Sequence, residues 1–218
     1  MRCSNSRQLT YLFLMVSVIL TGSTGCAVLY QLAHGDGPMV EAKYEGLEGQ
    51  TVAVVCKMNA STYGDSATST RIAKGVEMFL RNNVDGIDVI RQEHVGDWLD
   101  GTDWEDSDFI EIGRGVKADM VVAIDVDSFS THESTTLFQG RIEFDLSVYD
   151  IKHGGREVFE LADSRYKYPE MHPIPAISED PNNFKRIFIG ELSKDIAKNF
   201  YDYYLSDDIA SDGAAFAQ

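Results

Sequence analysis

The run Met120-Val121-Val122-Ala123-Ile124-Asp125-Val126 is the strongest strand pattern in the chain and marks the centre of its fold. Its first five residues are apolar, so both faces of the strand carry apolar side chains, as in a central strand that is covered on both sides. Asp125 interrupts this run and Asp127 follows at the next alternate position, so one face of the strand emerges into water there. We therefore predict a central strand that begins at Met120.

Shorter patterns precede this strand. The apolar runs Thr51–Val55 and Ile87–Ile90 predict two further strands. A helix is predicted between them, because apolar residues recur there at positions i, i+4, i+7 and i+8 and form one stripe: Ile72, Val76, Phe79 and Leu80. A second helix, capped by Ser107, is predicted just before the central strand.

The second half of the chain predicts hairpins and then a long helix. A polar loop, Ser130–Thr136, is expected to precede the alternating strand Arg141–Val148. The turn signal Lys152–Gly155 leads into another strand, Val158–Leu161, which continues towards Tyr168. Asp180-Pro181 begins a helix with one long apolar face, formed by Phe184, Ile187, Phe188, Leu192, Ile196, Phe200 and Tyr203. This order predicts an α/β fold: a mixed β-sheet of about five strands flanked by helices, with a long C-terminal helix.

The first 25 residues have the pattern of a secretory signal peptide. Arg2 and Arg7 provide a positive segment, and Leu9–Leu20 provides a short apolar one. This apolar run has about twelve residues, whereas a helix that crosses a membrane needs roughly twenty. We therefore predict that residues 1–25 are removed.

Ser23-Thr24-Gly25-Cys26 resembles the lipobox of bacterial lipoproteins, in which a peptidase cuts before a cysteine that carries the lipid. The resemblance implies lipidation of Cys26 and attachment to a membrane, where each buried methylene contributes about 0.8 kcal/mol. Ala27 follows the cysteine where an aspartate would imply retention in the inner membrane, so the family's sorting rule implies the outer membrane. Ordinary secretion and an uncleaved anchor stay open as alternatives.

The charge of the chain limits its partners. It carries 19 Lys and Arg residues against 35 Asp and Glu residues, a formal net charge of −16. This balance argues against a nucleic-acid partner and against a polybasic surface that binds anionic lipid. We predict a lipidated tether over residues 26–49, a single α/β domain over residues 50–205 and a disordered acidic tail over residues 206–218.

Sequence motifs for catalysis or metal binding are absent. The chain has no Gly-x-Ser-x-Gly, phosphate-loop or His-Glu-x-x-His pattern, and its histidines are scattered: His34, His94, His132, His153 and His172. The acidic stretch Asp97–Asp108 fails the calcium-loop pattern, so we predict a solvated loop, with a weak cation site as the alternative. Cys56 follows an apolar run and is expected to be a small buried residue. We predict no catalytic residue, no metal site and no cofactor.

Two segments carry a family resemblance, Thr51–Val55 and Ile112-Gly113-Arg114-Gly115-Val116-Lys117-Ala118-Asp119-Met120-Val121-Val122. The second has a helix that ends in Gly-x-x-x-x-Ala-Asp just before the central strand, and Phe138-Gln139-Gly140-Arg141 leads into a long hairpin. With the lipobox, this pattern resembles the bacterial periplasmic lipoproteins related to the curli-secretion lipoprotein CsgG, to LpoB and to the amino-terminal domain of TolB. The resemblance covers about residues 50–205 and implies a non-catalytic domain that binds other envelope proteins. A pore is not expected, because the chain lacks additional membrane-crossing hairpins.

The segment before the last helix is the predicted contact region. It is rich in aromatic residues and prolines, which favours protein interfaces, although a lid over the core would have the same composition. The candidate partner-binding residues are Tyr166, Tyr168, Met171 and His172, together with Trp98 and Trp104. The sequence thus predicts a lipid-anchored cell-envelope scaffold or accessory factor that binds an unidentified envelope protein. A small-ligand or cation-binding lipoprotein and a hydrolase with dispersed catalytic residues stay open.

Overall fold

The structure is a computed structural model and describes residues 38–58, 66–101 and 108–205. In chain order, the strands of these residues are β1 (Met39–Val40), β2 (Thr51–Met58), β3 (Asp88–Val89), β4 (Met120–Ser134), β5 (Leu137–Asp150), β6 (Arg156–Tyr168), β7 (Ile174–Pro175) and β8 (Tyr203–Tyr204). The helices are α1 (Ser66–Asn83), α2 (Gln92–Asp100), α3 (Phe109–Gly115) and α4 (Pro181–Ala197), the last of which continues as a 3-10 turn over Lys198–Phe200.

The main sheet is mixed, and its strands lie in the order β3-β2-β4-β5-β6. Strands β2, β3 and the first half of β4 are parallel, whereas β5 and β6 are joined to β4 as antiparallel hairpins. Strand β7 pairs with β5 as a sixth strand. The predicted α/β fold with a flanked mixed sheet and a long C-terminal helix is therefore confirmed.

Strand β4 is the central strand, as its sequence predicts. Val122 pairs with Val54 of β2 on one side and with Val148 of β5 on the other. Val121, Val122 and Ile124 are completely buried. On the face opposite to α1 and α4, Ala123 is the last buried residue of β4, and Asp125 is exposed.

The prediction of a polar loop over Ser130–Thr136 is wrong. Strand β4 continues to Ser134 and β5 begins at Leu137, so the hairpin is longer than expected and turns within about two residues. His132 pairs with Phe138 across this hairpin. Polar side chains are compatible with a strand wherever one face meets water, and the backbone bonds to β5 decide the conformation here.

The sheet lies between two layers of helices. Helices α1 and α4 cover one face, in a core that contains Val52, Val54, Val122, Ile124 and Leu146. The shorter helices α2 and α3 cover part of the other face, over a smaller core. That smaller core contains Ala53, Val55, Val121 and Ala123, whose small side chains allow close packing of the helices.

Helix α2 occupies part of the stretch that was predicted as an acidic loop. Residues Asp97 to Asp100 are helical, so the loop prediction is wrong for them. The N-cap residue of α2, Arg91, makes no capping bond through its side chain. The backbone N–H of Gln92 instead donates to the carboxylate of Glu77 on α1 at 3.0 Å, which satisfies one of the free N–H groups of the helix start.

Asp119 joins three strands at one end of the sheet. Its carboxylate accepts a bond from the backbone N–H of Thr51 at 3.1 Å and lies 3.3 Å from the ammonium group of Lys152. Its carbonyl oxygen accepts bonds from the N–H groups of Ile151 and Lys152. The bond from Thr51, followed by the interactions with Lys152, lowers the pKa of the Asp119 carboxyl group from its ordinary value. The contacts of Asp119 therefore connect β4 with both β2 and β5.

Residues before β2 also take part in the core. Leu47 is completely buried, and the N–H groups of Lys43 and Tyr44 both donate to the carbonyl oxygen of Asn199. Strands β1 and β8 form a separate two-stranded unit of their own. The predicted boundaries of the signal peptide, tether, domain and tail stay predictions, and residues 1–37 and 206–218 lie outside the described part of the chain.

Gly140 of β5 allows the ring of Phe188 on α4 to lie directly against the sheet, because a Cβ atom at this position would overlap that ring. We expect Gly140→Val to lower the free energy of unfolding by about 1–3 kcal/mol through overpacking. Gly190→Ala on the same helix is the matched control, since a Cβ atom there meets open space and an alanine favours the helix by up to about 1 kcal/mol. Urea unfolding of the purified chain, followed by circular dichroism, measures both. Equal unfolding midpoints for Gly140→Val and the unchanged chain would contradict the packing.

Candidate interaction surface

Several elements meet at the N-terminal end of α4. Phe138 of β5 pairs with His132 of β4 and also with Ile174 of β7. Tyr168 at the end of β6 pairs with Gly140, and the N–H of Ala176 donates to the carbonyl oxygen of Thr136 at 2.9 Å. The β4–β5 turn, the end of β6 and the β6–α4 segment therefore form one end of the domain, which we call the distal end and define by residues 130–138 and 166–183.

The two candidate tyrosines face the core. The ring of Tyr166 stacks on Phe188 with centroids 6.3 Å apart, and the ring of Tyr168 lies 6.5 Å from that of Phe184. Both tyrosines are partly buried. Their rings therefore hold β6 against α4, which matches the predicted lid over the core.

The backbone after Tyr168 is held in place by polar contacts. The buried side chain of Gln139 donates to the carbonyl oxygen of Pro169 at 2.9 Å. At the other end of the segment, the carboxylate of Asp180 accepts the N–H groups of Asn182 and Asn183 at 2.9 and 3.0 Å, which caps α4 as predicted. The segment between them is thus fixed at both ends.

Two large apolar side chains of this segment point into solvent. Met171 is 77% exposed and Ile177 is 98% exposed, the highest value for a large apolar residue in the described part of the chain. His172 is exposed beside Met171. Ile177 was not among the predicted site residues. Its sequence signal is weak, because a single isoleucine between Ala176 and Ser178 belongs to no strand or helix pattern.

The start of the domain lies at the opposite end of α4. Asn199, which accepts the bonds from Lys43 and Tyr44, follows the C-terminal end of α4, and the carboxylate of Asp202 accepts the N–H of Ala42 at 2.8 Å. A 17-residue helix is about 25 Å long. The point where the N-terminal segment joins the domain is therefore separated from the distal end by the length of α4.

The other predicted contact residues do not lie together with this segment. Trp98 of α2 is partly buried and its indole packs against Gly115 of α3, where a Cβ atom would overlap it. Trp104 and Cys26 lie outside the described residues, so their predicted roles stay predictions.

The features that would favour catalysis or ligand binding are weak. A cleft of about 200 Å³ is lined by acidic residues that include Glu45, Glu48, Asp85 and Asp202, whereas pockets for small ligands usually measure about 300–1,000 Å³. Within residues 38–58, 66–101 and 108–205, no three His, Cys, Asp or Glu residues are grouped so that they could hold a metal ion.

In the sheet, the thiol of Cys56 on β2 and the carboxyl group of Asp125 on β4 have raised pKa values. Burial, and then the charge of Asp125, raise the pKa of the Cys56 thiol, which disfavours its thiolate form. Burial raises the pKa of Asp125 as well, followed by the charges of Asp127 and Asp145, while Lys57 acts in the opposite direction. This row of like charges across β4 and β5 has no grouping suited to a metal ion.

Among the helices that the structure describes, none combines the length and the apolar composition needed to cross a membrane.

No protein-family model matches this chain, and no curated protein matches it either. Solved structures of similar fold include bacterial lipoproteins. Lipoprotein GNA1162 from Neisseria meningitidis is 12% identical with a TM-score of 0.43, and the match covers 67% of this chain and 97% of that one. The PelC dodecamer from Paraburkholderia phytofirmans gives 8% identity and a TM-score of 0.42, over 75% of this chain and 96% of that one.

The C-terminal domain of LpoB from Salmonella enterica is 13% identical with a TM-score of 0.35, over 55% of this chain and 82% of that one. At these identities and scores, the likenesses carry no argument about what this chain does. The predicted resemblance to CsgG and to the amino-terminal domain of TolB stays a prediction.

At the distal end, the packed tyrosine rings stabilise the fold, whereas the side chains of Met171 and Ile177 are exposed. We expect Tyr166→Ala to lower the free energy of unfolding by about 2–4 kcal/mol, because it removes a ring packed on Phe188. Met171→Ser and Ile177→Ser should change it by no more than about 0.5 kcal/mol, since both side chains are exposed. Thermal unfolding of the three variants provides the comparison. A large loss of stability from Ile177→Ser would show that this residue packs in the folded protein.

Proposed function

We propose that this chain is a lipid-anchored protein of the cell envelope, which acts without catalysis as a scaffold or accessory factor by binding an envelope protein. The observation that carries the proposal is the exposure of Met171 and Ile177 at the distal end, while the N-terminal segment joins the domain at the opposite end of α4.

This arrangement suits a protein that is tethered at one end and binds at the other. About fifteen residues separate Cys26 from Glu41, where the described domain begins, and this length of chain spans at most roughly 50 Å. A lipid on Cys26 would keep the domain within that distance of a membrane, and Ala27 favours the outer membrane. The distal end would then be the part of the domain farthest along α4 from its attachment.

The exposed pair differs from ordinary scattered surface residues. Single apolar side chains on a surface need no explanation, but here two lie in one short segment whose ends are held by Gln139 and Asp180. A segment with a fixed conformation loses little entropy on binding, so more of the contact energy becomes affinity. Met and Ile can fill an apolar pocket of a partner, and the neighbouring polar residues can form the rim.

We expect lipidation of Cys26 to determine where the protein is found. Cys26→Ala should move the protein out of the membrane fraction and remove the fatty acyl chains, because no other residue fits the lipobox. Cys56→Ala is the matched control and should keep both the membrane location and the lipid. Fractionation followed by intact-mass spectrometry of the purified protein measures the outcome. A mature protein that begins at another residue, or carries no lipid, would refute the anchor.

Loss of the exposed pair should abolish partner binding. We expect a C-terminally tagged chain, purified from detergent-solubilised envelopes, to recover a stoichiometric protein partner. The double variant Met171→Ser with Ile177→Ser should lose that partner at unchanged stability and unchanged membrane location. Met78→Ser is the matched control, since Met78 is 51% exposed on α1, away from the distal end. If the double variant recovers the same partner in the same amount, the distal end is not the binding surface.

A further inference from the structure

Strands β1 and β8 form a small two-stranded element, residues 38–40 and 203–205, which we call the terminal ribbon. We propose that the exposed side chains of the terminal ribbon lie in the headgroup region of a bilayer of zwitterionic phospholipids, the same bilayer that holds the lipid on Cys26. This inference rests on the proposed function, because it needs the chain to be anchored at Cys26.

Exposed apolar side chains are concentrated in the terminal ribbon. The described residues include six large apolar side chains that are exposed, and three of them belong to the six residues of the ribbon: Met39, Tyr204 and Leu205. Met39 lies directly opposite Tyr204 in the antiparallel register, so their side chains are neighbours on one face. The N–H of Leu205 donates to the carbonyl oxygen of Pro38 at 3.2 Å. Two paired strands bury little surface by themselves, so apolar residues grouped on them indicate a surface that something else covers.

The position of the ribbon in the sequence indicates what covers it. Eleven residues, 27–37, separate Cys26 from Pro38, and this length of chain spans at most roughly 40 Å. Among the described elements, β1 is the one that follows Cys26 most closely in the sequence. A surface that is tethered within this distance of a bilayer meets it at a high effective concentration, so even a contact that is weak by itself becomes populated.

The residue types of the ribbon suit the headgroup region of a bilayer. None of its six residues is charged, although charged residues make up 25% of the chain, so the contact buries no ionised side chain. Tyrosine combines an apolar ring with a polar hydroxyl and is enriched at membrane interfaces. An open two-stranded ribbon does not enter the hydrocarbon core, because backbone groups at strand edges need water. The hydrated headgroup region satisfies both requirements.

The charges that flank the ribbon select the kind of lipid. Residues 38–44 and 198–208 contain four acidic side chains against two basic ones, namely Glu41, Asp202, Asp207 and Asp208 against Lys43 and Lys198. The chain as a whole carries a net charge of −16. Anionic headgroups would repel these charges, whereas zwitterionic headgroups offer the same interface without a net negative charge.

Two equally exposed methionines provide a matched pair for the experiment. Met39 in the ribbon is 53% exposed and Met78 on α1 is 51% exposed, so hydrogen peroxide should convert both to sulfoxides at similar rates when no membrane covers either of them. The purified lipidated chain is reconstituted in phosphatidylcholine vesicles and treated with peroxide, and peptide mass spectrometry follows each methionine. The Cys26→Ala chain, mixed with the same vesicles, is the unanchored control. Intact-mass spectrometry first establishes whether the lipid is present on Cys26.

We expect Met39 of the lipidated chain to be oxidised about five- to tenfold more slowly than Met78, because oxidation is then limited to the roughly 10–20% of molecules whose ribbon is detached from the bilayer. In the Cys26→Ala chain the two rates should be similar. Replacement of part of the phosphatidylcholine by phosphatidylglycerol should reduce the protection of Met39 in the lipidated chain. These vesicles hold no other protein, so only lipid or a second copy of the chain can protect Met39.

Equal rates for Met39 and Met78 in the lipidated chain would overturn the membrane contact and leave the proposed function intact. Protection that increases with the number of chains per vesicle would also overturn it, since a second copy would then cover the ribbon. Stronger protection in vesicles with phosphatidylglycerol would overturn the choice of zwitterionic lipid. A purified native chain that carries no lipid on Cys26 would overturn the anchor of the proposed function, and this inference with it.

Discussion

The packing of Phe188 against the sheet connects the main elements of the domain. Its ring lies 5.3 Å from that of Phe129 on β4 and 6.3 Å from that of Tyr166 on β6, and it rests on the backbone of Gly140 on β5. The three strands of the long hairpins are therefore held to one side chain of α4. Beyond Val126, the described part of β2 no longer pairs with β4, so this aromatic contact replaces the support that the parallel strands give elsewhere. Phe184, one turn earlier on α4, extends this contact to Phe138 and Tyr168 at the distal end.

The hydrophobic pattern predicted the parts of the fold that depend on local periodicity. The central strand, the parallel strand over Thr51–Val55 and the last helix with its cap at Asp180 follow from which residues are apolar and where charges interrupt them. The pattern could not give the length of the β4–β5 hairpin, because the last five residues of β4, Ser130–Ser134, are all polar. It also could not predict the helical conformation of Asp97–Asp100, since the bond at the start of α2 comes from Glu77, 15 residues earlier in the chain.

The sequence predicted the contact region as one segment. It did not show which of its residues pack in the core and which are exposed. Aromatic residues and prolines indicated residues 166–175, yet composition alone does not tell which side chains point inward. The register of β6 decides this, and it shifts between Leu161 and Ser164, where Asp163 adopts a positive φ of 52°. Such an irregularity changes which residues face the core, so Tyr166 and Tyr168 face α4 although simple alternation from Phe159 and Leu161 would not place them there. The exposed pair is visible only once the segment between β6 and α4 has its structure.

Buried polar side chains of the described residues form hydrogen bonds, whereas the apolar side chains of Met171 and Ile177 are exposed to solvent. Every buried side-chain nitrogen or oxygen of the described residues has a hydrogen-bond partner, including Glu77, Gln92, Gln139 and Ser193. The buried polar side chains of the described residues are therefore paired, as is usual in protein interiors. Helix α4 is bonded at its C-terminal end to the segment that enters the domain and is packed at its N-terminal end against the hairpins. Because a helix of this length bends little, α4 holds the distal end, with Met171 and Ile177, at a fixed distance from the place where residues 42–44 bond to the domain.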